Sequence, residues 1–93
     1  MIDLAIKLIS EFLGTMLLVL TIVASGGSSV MTGAVLALII FLTAGVSGGH
    51  VNPVVSLAMF LSGSITASSF AAYAVAQSLG GITAYFIYKV VTS

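Results

Sequence analysis

The side chains able to carry charge near neutral pH are Asp3, Lys7, Glu11, His50 and Lys89, and no two of the carboxylates and the histidine fall within one helical turn of each other. That spacing supplies neither paired carboxylates for acid–base hydrolysis nor a ligand set for a metal ion. Cysteine is absent, which removes disulfides and thiolate metal sites. With two basic residues in the whole chain, a phosphate backbone would find too little neutralising charge. Enzymatic activity, a metal or cofactor, and nucleic-acid binding are therefore not expected. The polar chemistry is concentrated in Ser47-Gly48-Gly49-His50-Val51-Asn52-Pro53. Asn52 is suited to cap a helix begun by Pro53, and its amide can also donate to an approaching oxygen. The two glycines let backbone carbonyls come close to a solute.

These residues must be held by elements of an unusual composition. Hydrophobic residues make up 60% of the chain and charged ones 4%, whereas soluble domains carry about 25% charged residues. Between Phe12 and Tyr88, His50 is the only side chain able to carry charge near neutral pH. The chain is expected to be an all-α, multi-pass membrane protein. A cleaved signal peptide does not fit the N-terminus, because Asp3 and Glu11 interrupt the required basic and apolar regions.

Turn-forming clusters divide the apolar sequence. Spans of about 20 residues suffice to cross a bilayer, and stretches near that length run over about residues 4–24, 30–46 and 69–91. The segment 47–62 is too short to cross. A helix from Pro53 to Leu61 would be roughly 14 Å long, half of a hydrocarbon core of about 30 Å. Residues 45–51, fully extended, reach about 20 Å at most. Two readings follow. The segment is an interfacial turn with a short surface helix, or it is a re-entrant loop and half-helix lining a water-filled path, since irregular backbone at membrane depth must face protein or water.

A family resemblance favours the second reading. Ser47-Gly48-Gly49-His50-Val51-Asn52-Pro53-Val54-Val55-Ser56 resembles the first Asn-Pro-Ala loop of the aquaporin and glycerol-facilitator family, S-G-A/G-H-x-N-P-A-V-T. Glu11-Phe12-Leu13-Gly14-Thr15 is similar to its first-helix E-F-x-G-T signature, and Ala76-Gln77 with Gly80-Gly81 to the A-Q-x-x-G-A pattern of its third helix. The resemblance implies a single half-channel domain over residues 1–93: three transmembrane helices plus one re-entrant half-helix, one of the two inverted repeats that such channels contain. It implies that Asn52 donates to the permeating oxygen, and that the carbonyls of Gly48, Gly49, His50 and Val51 form a polar track. Glu11 would support the loop from within the bundle, and Pro53, Gly14, Gln77 and Gly80 would be architectural. His50 reads as a structural loop residue rather than a titrating gate.

The pore would be completed by an inverted second copy. Lys7 and Lys89 lie near opposite ends of a three-span chain, so lysine gives no excess on either side to fix orientation. An antiparallel homodimer is the expectation, with four dimers, an octamer, as the form analogous to aquaporin tetramers. Ser68, Ala72, Ala76, Gly80 and Ala84 recur every four residues as a strip for close helix approach, within the protomer or between copies. Departures from the family pattern bear on selectivity. The positions aligned with the aromatic and arginine of the outer filter are Thr32 and Val55, no arginine is present, and Val54 replaces the usual alanine. Wider, more apolar vestibules are expected, passing water and small uncharged solutes such as glycerol, urea, ammonia or gas. The competing readings are a holin-like pore, a structural membrane protein, a proton-coupled dual-topology transporter using Glu11, and a half-channel whose partner is a different chain.

Overall fold

A computed structural model describes residues 2–93; Met1, part of the expected domain, lies outside them. Its elements are helices: α1 (Leu4–Ala24), α2 (Ser29–Thr43), α3 (Pro53–Leu61) and α4 (Ala67–Thr92). Each begins at a polar cap. The side chains of Asp3, Ser28, Asn52 and Thr66 accept from backbone amides of the first turns, giving partners to donors that the helix itself leaves free.

At 1.5 Å per residue, the 26 residues of α4 extend about 39 Å, matching the longest dimension of the bundle, 41 Å. α1 and α4 are long and apolar enough to cross a membrane. α2 has 15 residues, about 22 Å, and ends at Thr43 where the sequence suggested a span continuing to 46. The early stop has a local cause. The amides of Val46 and Ser47 both turn back to the Thr43 carbonyl, and Gly49, at φ +63°, folds the chain so closely over the end of α2 that a Cβ there would lie 3.2 Å from Thr43 Oγ1. α4 begins two residues before the expected 69, at Ala67, because Thr66 caps it.

α1 and α4 form the main seam. At Gly80 the two helices are so near that a Cβ would collide with the Phe12 carbonyl oxygen and lie 3.1 Å from Met16 N. α2 packs on α1 alone and α3 on α4 alone among the helices, and no Cα of α2 comes within 8 Å of one in α3. The face of α4 that is buried carries Tyr73, Gln77, Gly80 and Ala84. The every-four strip is therefore not one face. A step of four residues overshoots a 3.6-residue turn, so the row drifts around the helix, and Ser68 ends up exposed while Gly80 and Ala84 are buried. Those two small residues serve packing within the protomer.

Candidate functional site

The loop between α2 and α3 is tied down from its inner side by one carboxylate. Glu11, in the third turn of α1, is completely buried. Its Oε2 accepts from Ser47 Oγ at 2.6 Å and from the His50 amide at 3.2 Å. Its Oε1 accepts from the Val51 amide at 2.7 Å and from Gln77 Nε2 at 2.8 Å. Donors thus replace the solvent shell that a carboxyl group loses on burial.

Gln77 extends the network by also donating to Ser56 Oγ at 2.8 Å, and Ser56 Oγ lies 2.8 Å from His50 Nδ1. The hydroxyl can accept from Gln77 and still either donate to Nδ1 or accept from an Nδ1–H, so His50 and Ser56 are bonded in either tautomer. Tyr73, one turn before Gln77 on α4, donates its hydroxyl to the Ser47 carbonyl at 2.8 Å. Its ring packs against His50, with centroids 5.1 Å apart and planes tilted by 50°.

The grip on the loop imposes an unfavourable backbone. Val51 has φ +46°, a left-handed conformation that β-branched residues rarely adopt. Its amide is fixed by Glu11, and its side chain, 3% exposed, fills the notch left by Gly14. A Cβ on Gly14 would be 2.7 Å from Val51 Cγ1 and 3.2 Å from Ile39 Cγ2. Strain of this kind persists only where surrounding contacts hold it, and it gathers at functional sites.

The outer side of the same loop is differently equipped. Among the described residues, no hydrogen bond ends on the carbonyl oxygens of Gly48, Gly49, His50 or Val51, and none starts from Asn52 Nδ2. Asn52 Oδ1 is taken by the Val54 amide at 2.8 Å as the α3 cap, and Pro53 occupies the first turn. The side chain is exposed and carries a free pair of N–H donors.

Of the residues singled out in the sequence, Glu11, Gly14, Gly48, Gly49, His50, Val51, Asn52, Pro53 and Gln77 gather around this loop, and Gly80 sets the seam beneath it. Thr32, in the first turn of α2, and Val55, on α3, are not brought together within the chain. Ser47, Ser56 and Tyr73 were missed. The first two are letters of the loop motif, and Tyr73 stands one turn from Gln77 on the face of α4 that continues to Gly80, a spacing that would have pointed to it.

A chain with so apolar an exterior and a polar network closed at its centre is an integral membrane protein. It belongs to the major intrinsic protein family, whose model matches residues 2–93. It is 37% identical to the aquaglyceroporin AqpS of Rhizobium meliloti over 86% of this chain and 41% of that protein. It is 38% identical to the glycerol uptake facilitator protein-like 6 of Lactiplantibacillus plantarum over 84% of this chain and 40% of that protein. A plant relative, aquaporin PIP2-7 of Musa acuminata, is 40% identical over 61% of this chain and 20% of its own length. The chain spans about 40% of the length of the bacterial relatives.

Proposed function

We propose that this chain is one half of a passive channel for water and small uncharged solutes such as glycerol, urea, ammonia or gas, and that an antiparallel second copy supplies the other half. In this layout α1, α2 with its following turns, and α4 cross the bilayer, while residues 47–52 and α3 enter and leave on one side. The chain acts as a conduit and transforms nothing.

The observation that carries the reading is the unpartnered row of carbonyls, Gly48 to Val51, ending at the free amide of Asn52. Backbone carbonyls without partners are costly anywhere in a folded protein and more so at membrane depth. A file of water or hydroxyl groups satisfies them by donating to each carbonyl in turn, then accepts from Asn52 Nδ2. The positive end of α3, equivalent to about half a charge, orients the oxygen at that point and opposes cations. An inverted copy would place a second such end opposite the first, the arrangement of inverted-repeat transporters.

The coupled-transporter reading is disfavoured by Glu11 itself. A coupling carboxylate must exchange protons with a water path, whereas both oxygens of Glu11 are engaged and the residue is fully buried.

The test is osmotic stopped-flow on proteoliposomes containing only this chain, with water and glycerol gradients. Asn52→Asp is the informative control, because it keeps a capping oxygen for the Val54 amide and replaces the amide's N–H donors with a carboxylate oxygen that only accepts when ionised. Severalfold faster flux than empty liposomes, lost in Asn52→Asp, is expected. Flux at the empty-liposome level would refute the self-sufficient channel, and a sizeable proton or potassium current would refute selectivity for neutral solutes.

A further inference from the structure

Within Ser47 to Val51, the Ser47 carbonyl alone is taken by a side chain of the protein, the Tyr73 hydroxyl. Tyr73 is 2% exposed and Ser47 6%, so neither group is available to solvent where they meet. Phenylalanine would cover nearly the same apolar surface; what tyrosine adds is a hydroxyl that must find a partner once buried. Tyr85, by contrast, is half exposed and packs its ring edge-on against Phe86.

We propose that Tyr73 is a positioning residue that sets where the carbonyl track begins. By occupying the Ser47 oxygen it makes Gly48 the first free acceptor, and by packing on the His50 ring it holds the peptide from which the His50 carbonyl projects. This rests on the channel reading above and deepens it to selectivity. A polyol engages several acceptors at once and is sensitive to their number and spacing, whereas a water molecule engages one or two. Freeing the Ser47 oxygen lengthens the track, and the effect should fall on glycerol more than on water.

The experiment compares the wild-type chain with Tyr73→Phe in lipid bilayers, using water-edited solid-state NMR of carbonyl-labelled protein and the same stopped-flow fluxes. In the wild type, water contacts are expected at the carbonyls of Gly48 to Val51 and not at Ser47. In Tyr73→Phe, Ser47 should gain a water contact, and the ratio of glycerol to water permeability should change while the unfolding temperature moves little. A merely structural phenol would lower both permeabilities in proportion and leave the ratio unchanged, which overturns the proposal. A Ser47 carbonyl already hydrated in the wild type overturns it too, without any flux measurement. Failure of the channel reading itself gives a different result: dry carbonyls from Gly48 to Val51 in the wild type.

Discussion

The loop from Ser47 to Asn52 has an inner side on which Ser47 Oγ, the Ser47 carbonyl and the amides of His50 and Val51 are each bonded to α1 or α4. On its outer side the carbonyls from Gly48 to Val51 and the side-chain Nδ2 of Asn52 have no partner among the described residues. The helices follow the same division. α1 and α4 close on each other at Gly80, while α2 and α3 never meet and expose large side chains such as Phe41, Val54 and Leu61. One chain therefore completes the support for the loop and leaves the surface that the loop presents unfinished. The hold on the loop is an intrachain property, whereas its outer carbonyls find no partner among the described residues.

The largest effect that would break this contrast is on the inner side. Glu11→Ala leaves the donors of Ser47, His50, Val51 and Gln77 without their acceptor, and each buried orphan costs about 1–3 kcal/mol. Loss of the folded, monodisperse protein in detergent is expected, with Glu11→Gln, which keeps a carbonyl acceptor, intermediate. Wild-type resistance to denaturant in Glu11→Ala would show that the network does not support the loop.

The glycines sharpen the comparison through the sign of the effect. Gly80→Ala drives a Cβ into the Phe12 backbone, which cannot yield as a side chain can, and overpacking of this kind costs about 1–3 kcal/mol. Gly33→Ala, in α2 with nothing within 4 Å of its Cβ position, should instead stabilise the helix by about 0.5–1 kcal/mol. Paired thermal unfolding curves check both, and a gain at Gly80 or a loss at Gly33 would contradict the packing described.

Smaller stability effects are expected on the outer side. Asn52→Ala removes the α3 cap and should cost about 1 kcal/mol, measured by the same unfolding curves. Asn52→Asp, which keeps the capping oxygen, should stay within about 0.5 kcal/mol of wild type even where it stops flux. Phe41→Ala, at a side chain 82% exposed, should likewise leave the unfolding of the protomer unchanged within about 0.5 kcal/mol.

Much of the supporting side was legible because its residue types are out of place in an apolar chain. Glu11 is a carboxylate well inside an apolar span and Asn52-Pro53 marks a helix start by its chemistry, whereas Gln77 was picked out by the family resemblance. What escaped were groups whose type is ordinary. Tyr73 differs from Tyr85 and Tyr88 only in lying on the buried face with Gln77, and Ser47 and Ser56 are two serines among many until the loop folds back over them. The left-handed Val51 could not be foreseen either, since no local preference favours it and only tertiary contacts impose it. The α2 boundary shifted for the same reason: the apolar run continues past Thr43, and the reversal of the loop ends the helix.

The reach of Glu11 along the chain has a consequence for biogenesis. The nearest of its partners lies 36 residues downstream and the farthest 66, so α1 is made before any of them. An acidic residue near the centre of an inserting helix is unfavourable by about 2.5–3.5 kcal/mol, offset here by the uncharged run from Phe12 to Ala24. The bonds of the loop to Glu11 need α1 alone, whereas those made by Gln77 and Tyr73 wait for α4, so the network is completed last from the C-terminal helix. A chain interrupted before α4 would hold three of the four donors to Glu11 and lack the fourth, Gln77, together with the Tyr73 hydroxyl on the Ser47 carbonyl.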